Sequence, residues 1–297
     1  MLDPEVAIDA FNGVYGKHAA RALHAKGRFY EGTFTPTESA GLLCRAGHFQ
    51  AESVPVLVRF SNAGGNPRRS DEAGDVRGMA VSFKLADGTA TDLLGQTAPR
   101  FPVRTPEEFI ELTKLARHQF KLPLFLAKHR HAIPALLENA RAGALKPVHS
   151  YAEPTYYTIH AYKWIAPDGK ESWVRHTLVP QAIEKHRLAE KFTGKDRLQE
   201  ELAARLARGP VKFNLEVQIA HDLDDPHDPM SVWGKESRHV DAGEIVITAP
   251  VPDPEQDGNV VVFDPTRIVD GIELSDDPIL RYRPTAYSTS VGRRLSK

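Results

Sequence analysis

The spacing of hydrophobic and polar positions changes period several times along the chain. Residues 28–35 alternate through Phe29, Tyr30, Gly32 and Phe34; residues 54–61 read Val-Pro-Val-Leu-Val-Arg-Phe-Ser; residues 78–85 read Gly-Met-Ala-Val-Ser-Phe-Lys-Leu. A period of two predicts three strands early in the chain. Ahead of them, Asp3-Pro4 caps a short peripheral helix built on Val6, Ile8 and Phe11. Thr105-Pro106-Glu107-Glu108 opens a helix from Phe109 to Arg117 with a capping box, and two more helical patterns fill 123–143. Strand character returns from Tyr156 to Trp164 and from Ser172 to Val179, joined as a hairpin by Pro167-Asp168-Gly169. Lys195 to Arg208 is amphipathic at helical spacing, residues 211–220 alternate strictly, and 244–249 and 259–263 read as two further strands. Ser275-Asp276-Asp277-Pro278 then caps a last helix that runs towards Tyr287.

Strands that arrive as hairpins, rather than singly between helices, argue against a parallel doubly wound sheet. The expected class is α+β, an antiparallel β-barrel of about eight strands with flanking helices. Such a barrel encloses a packed core or one ligand cavity. No repeat, low-complexity segment or long linker interrupts the pattern, which predicts a single domain over 1–297.

Composition narrows the chemistry. Forty-one per cent hydrophobic residues exclude disorder, and no apolar run reaches the roughly 18 residues of a membrane helix. The start, Met1-Leu2-Asp3-Pro4-Glu5, lacks a secretory pattern, so a cytoplasmic location is expected. Thirty-eight Lys and Arg against 39 Asp and Glu leave a net charge of -1, with no field that favours nucleic acid or an anionic membrane. One cysteine, Cys44, rules out internal disulfides and cysteine-cluster metal sites; its Leu-Leu-Cys setting reads as core. Zinc-protease, phosphate-loop, dinucleotide and hydrolase signatures are absent. What remains is Arg, His and Tyr in apolar settings. Arg59, inside Val-Leu-Val-Arg-Phe-Ser, either turns to solvent or faces inward and needs an anion. His24, ahead of the first strand, is an acid/base candidate or a bland core residue. Arg283 and Tyr287, four apart on a helix, share one face; a guanidinium beside a phenol favours phenolate, a ligand for iron. Lys128-His129-Arg130-His131 reads as a solvated helix face, and His160 and His176 as strand residues of the barrel.

In order and context these residues resemble the haem catalase family. His24-Ala25-Lys26-Gly27 is similar to its distal-histidine motif and Val58-Arg59-Phe60-Ser61 to its distal strand. Asp75-Val76-Arg77-Gly78-Met79-Ala80-Val81-Ser82-Phe83 resembles the family's Asp-Pro-Arg-Gly-Phe-Ala-Val-Lys-Phe. Asp92-Leu93-Leu94-Gly95, then Pro99, Phe101 and Arg104, continue in register. Phe263-Asp264-Pro265 and Gly271-Ile272 lead to Arg283-Pro-Thr-Ala-Tyr287, similar to the proximal Arg-x-x-x-Tyr signature.

The resemblance implies haem b with ferric iron, Tyr287 as axial iron ligand and Arg283 holding it as phenolate. It implies His24 as the acid/base of peroxide cleavage and Ser61 as the partner that fixes its tautomer. Arg21, Arg59 and Arg294 would hold the propionates, Phe109 and Phe101 would line the distal pocket, and Phe263 the proximal side. The implied activity is that of a small catalase-related peroxidase. It would reduce hydrogen peroxide or organic hydroperoxides through an oxo-ferryl intermediate, with weak catalase activity. A fatty-acid hydroperoxide rearranging enzyme and a non-catalytic haem-binding barrel are the alternatives. Expected partners are a peroxide and a small-molecule reductant, with a homodimer allowed and no NADPH. Gly95-Gln96-Thr97-Ala98-Pro99 departs from the family's Gly-Asn-Asn-Thr-Pro, putting Gln96 in place of the distal asparagine, which should weaken peroxide oxidation. The chain stops ten residues after Tyr287, which should open the haem edge to bulkier peroxides and reductants. Pro284 within the signature removes one helical hydrogen bond and is expected to disturb Arg283.

Overall fold

The computed structural model describes residues 2–181, 191–234 and 236–296. The first half contains α1 (Pro4–Tyr15), β1 (Gly27–Pro36), α2 (Glu38–Leu43), α3 (Gly47–Gln50), β2 (Val54–Asn62), β3 (Arg77–Lys84), β4 (Ala90–Gln96), α4 (Pro106–Lys114), α5 (Leu122–Lys128) and α6 (Ala132–Arg141). The second half contains β5 (Tyr156–Tyr157), β6 (Tyr162–Ile165), β7 (Glu171–Pro180), α7 (Arg197–Leu206), β8 (Val211–Ile219), β9 (Arg238–Pro250), β10 (Ile272–Leu274) and α8 (Pro278–Leu295). Every strand pairing is antiparallel. Because β1 pairs with both β2 and β9, and β7 with both β5 and β8, eight of these strands close into a barrel in the order β1-β2-β3-β4-β5-β7-β8-β9. β6 and β10 extend from β7 as a short flap. The expected barrel with flanking helices is the fold observed.

The barrel interior is packed rather than open to a ligand. Val56, Val58 and Phe60 of β2 meet Val81, Phe213, Leu215, Ile245 and Ile247 in one cluster. The Phe60 ring lies 5.4 to 6.1 Å from those of Tyr30, Tyr151, Tyr156 and Phe213. The pleat then sends the alternate residues of β2, Arg59 and Ser61, to the outer face. That face is not solvent, because the segment before β1 covers it, and both residues are 4% exposed. Alternation alone could not distinguish a solvated outer face from a covered one.

Three sequence expectations fail locally. Residues 259–263 form no strand: Val261 N donates to Glu255, Val261 O accepts from Arg21, and Val262 O accepts from Arg267. Backbone groups satisfied by side chains have no ladder to join. The predicted strand from Tyr156 to Trp164 is two short strands, broken where Thr158 Oγ1 accepts from the backbone N–H of His176 and His160 turns to Asp277. His160 is therefore a buried residue of the connection, while His176 does lie on β7. The last helix runs through Pro284 without ending, since Pro removes one donor but its φ suits a helix.

Burial in the barrel also predicts acid sensitivity. It drives the His48 and His176 imidazoles from 6.5 down to about 3, His48 with a small push from His176. Between those values the unfolded chain binds protons that the folded chain does not, so stability rises with pH across the window. Each ring contributes a slope approaching about 1.4 kcal/mol per pH unit. Urea unfolding midpoints are expected to drop steeply from about pH 7 to about pH 4. A flat series would mean that the rings are not held neutral.

Candidate active site

His24 precedes β1 with φ of 51°, a left-handed conformation uncommon for a side-chain-bearing residue. Its N–H reaches Ala63 O, and its Nδ1 lies 2.9 Å from Ser61 Oγ on β2. The ring rests on Gly78 of β3, where a Cβ would come within 2.7 Å of its Cε1 and 2.9 Å of Ser61 Oγ. Glycine is thus the residue that lets β3 carry the imidazole. Burial, reinforced by the charges of Arg59, Arg283 and Arg21, drives the His24 pKa to about 3. The ring is neutral at physiological pH.

Register places Gln96 beside this ring. Gly78 pairs with Ser61 on one side and Gln96 on the other, and directly paired residues share a face. The Gln96 amide donates to Ala98 O at 3.3 Å, while Thr97 Oγ1 is taken by the Arg77 N–H. Phe109 of α4 stacks on Phe101 at 5.5 Å and meets Phe11 of α1 edge-on at 6.0 Å. These aromatics join α1 and α4 into a wall on the side of the barrel where His24 lies.

The arginines form the second part of the site. Arg59 donates to His24 O at 3.0 Å and approaches Ala25 O at 3.5 Å, but its Nε has no partner. Arg21 grips Glu255 with both Nη atoms, at 2.6 and 3.0 Å, and Arg294 reaches the same carboxylate at 2.8 Å. Phe29 of β1 lies beneath the Arg21 and Arg59 guanidiniums, 5.6 and 5.5 Å from its centroid, and stacks on Phe263 at 6.2 Å. Burial, and Arg21 beside it, presses the Arg59 pKa down to about 9. Two guanidiniums thus grip one carboxylate, and the third shares the Phe29 ring with Arg21.

On α8, Arg283 Nη1 donates to Tyr287 Oη at 2.9 Å, so Pro284 has not displaced the pair. Although burial opposes its charge, the Tyr287 oxygen, with Tyr162 and Asp277, raises the Arg283 pKa above its ordinary value. Asp277 caps α8 and binds His160 Nδ1 at 2.6 Å. The structure thus gathers the chain's head, His24 and Arg21, with its tail, Arg283 to Arg294. Sequence reading missed Glu255, Phe29 and the His160–Asp277 pair. Glu255 sits in a Pro- and Asp-rich stretch that reads as loop; the apolar Phe29 was visible only as a strand residue.

The catalase family model matches residues 16–297. A catalase-related peroxidase of Mycolicibacterium paratuberculosis is 47% identical over 303 residues, covering 99% of this chain and 95% of that protein. A catalase-related peroxidase of Synechococcus elongatus is 30% identical over 304 residues, covering 99% and 89%. Among solved structures, a fungal catalase superposes with a TM-score of 0.78 at 22% identity, covering 93% of this chain and 59% of that one. With a match of this extent on a closed barrel of this topology, the chain belongs to the catalase family.

Proposed function

We propose that this protein, as one haem-binding domain, is a haem peroxidase that reduces hydrogen peroxide or organic hydroperoxides at the expense of a small-molecule reductant, with weak catalase activity. The observation that carries the proposal is the convergence of a neutral, Ser61-braced His24 with the Arg283–Tyr287 pair. The family implies haem, and the residues fit it. Arg21 and Arg294 share the Glu255 carboxylate, Arg59 donates to main-chain oxygens, and among the described residues the buried Nε atoms of Arg59, Arg283 and Arg294 lack partners. Two propionates would supply the anions such a cluster needs. Tyr287 would hold the iron of ferric haem b through its phenol oxygen, with Phe29 and Phe263 offering apolar surface to the macrocycle. Haem, when bound, supplies redox-active iron that delivers electrons to the O–O bond.

The protein's part is to bind, orient and move protons. A neutral imidazole whose Nδ1 is held by Ser61 leaves Nε2 free to take the proton from one peroxide oxygen and return it to the other, so that water leaves. Gln96, one strand over, would orient the peroxide. Its amide carries one more methylene than asparagine, which supports reduction of peroxide over its oxidation. The peroxidase names of the relatives at 47% and 30% identity do not favour hydroperoxide rearrangement or a non-catalytic barrel.

Protein loaded with ferric haem should show a Soret band that hydrogen peroxide shifts and a phenolic reductant restores. An unmoved spectrum overturns the proposal. With a lipid hydroperoxide as sole substrate, an isomeric epoxide in place of the alcohol would establish rearrangement instead.

A further inference from the structure

In the first turn of α4, Glu108 meets two histidines from the turn between α5 and α6. One donor atom each from Glu108, His129 and His131 lies within 4.8 Å of the other two. Glu108 Oε1 is 3.4 Å from His129 Nδ1, and Glu108 Oε2 is 3.0 Å from His131 Nε2. The two rings stand 5.7 Å apart at 82°. His129 is 6% exposed, so the solvated helix face expected for 128–131 does not hold there.

A second carboxylate braces the cluster from behind. His129 Nε2 lies 2.8 Å from Glu111 Oε2, and Lys128 fixes the other Glu111 oxygen at 2.6 Å. Glu111 thus takes the far nitrogen of His129, and Nδ1 faces Glu108. The Arg104 backbone N–H donates to Glu108 Oε2 at 2.9 Å and orients the carboxylate between the two rings. One ion held among these donor atoms would contact all three side chains at once.

We infer that Glu108, His129 and His131 bind one divalent transition ion of the zinc type. Two imidazole nitrogens and a carboxylate oxygen are a zinc donor set, and a carboxylate on the far nitrogen of a ligand histidine is the usual support for one. The half-buried His131 leaves a fourth position for water. The ion ties the start of α4, which carries Phe109, to the α5–α6 turn.

The test is calorimetric titration of the haem-loaded protein with zinc chloride. The expected result is one ion per chain at about micromolar affinity. His131→Ala, at a partly exposed position, should abolish it. Glu111→Gln should weaken it by about 10- to 100-fold with the haem spectrum unchanged, which a purely structural ion pair would not do. No heat of binding, or equal affinity in both variants, overturns the inference. In that case His129 is an imidazolium shared between Glu108 and Glu111.

Discussion

Tyr287→Phe is expected to leave a protein that folds but loses haem on gel filtration. The loss should exceed the about 10- to 100-fold that removing an outer partner costs a metal site, because the phenol oxygen that Arg283 holds on this face of α8 is itself gone. The substitution keeps the ring and its packing, so the barrel core is untouched. It does strand a guanidinium, since Arg283 is half-buried and its Nη1 donates to that phenol. Part of the strain is offset by Asp277, whose charge also supports Arg283. Urea unfolding of the haem-free protein separates the two effects: stability should fall by about 1 to 3 kcal/mol for the unmet donor, while haem affinity falls much further. Full haem loading with an unchanged spectrum would remove Tyr287 from the iron and leave the head-to-tail arrangement without its purpose.

The parts of this arrangement that sequence could reach are those fixed by local pattern. Strand alternation located β1, β2, β3, β7 and β8 within two residues, and Asp3, Thr105 and Asp277 each cap the helix they precede. Hairpin order was enough to indicate a barrel. What local pattern lacks is knowledge of what covers a strand. Arg59 is indistinguishable from a solvent-facing residue until the 21–26 segment folds over β2 and its main-chain oxygens meet the guanidinium. Glu255 could not be paired with Arg21, 234 residues away, from any periodicity. Residues 259–263 mimic a strand because three valines in a row satisfy the pattern, whereas their backbone groups are claimed by Arg21, Glu255 and Arg267. His129 was misjudged for a related reason: three of its neighbours are charged or polar in sequence, yet the carboxylates that bury it come from α4.

His24→Ala should retain haem and slow peroxide cleavage by at least about 10²-fold, the usual worth of a positioned acid/base. The effect is expected in kcat/KM for hydrogen peroxide and for organic hydroperoxides alike, because both present the same O–O bond. Ser61→Ala should cost less, since the imidazole remains and only the hydroxyl at 2.9 Å from Nδ1 is lost. The pH dependence separates a catalytic ring from a merely structural one. Burial and three guanidiniums place the His24 pKa at about 3, so its neutral form persists and the wild-type rate should show no limb near the ordinary 6.5. Removing the neighbouring charge should bring that limb into view. Arg59→Leu takes away the largest of the charges bearing on the ring, so the limb should rise towards neutral pH from about 3. A limb that stays where it was, together with an undiminished rate in His24→Ala, would show that the proton moves by another route.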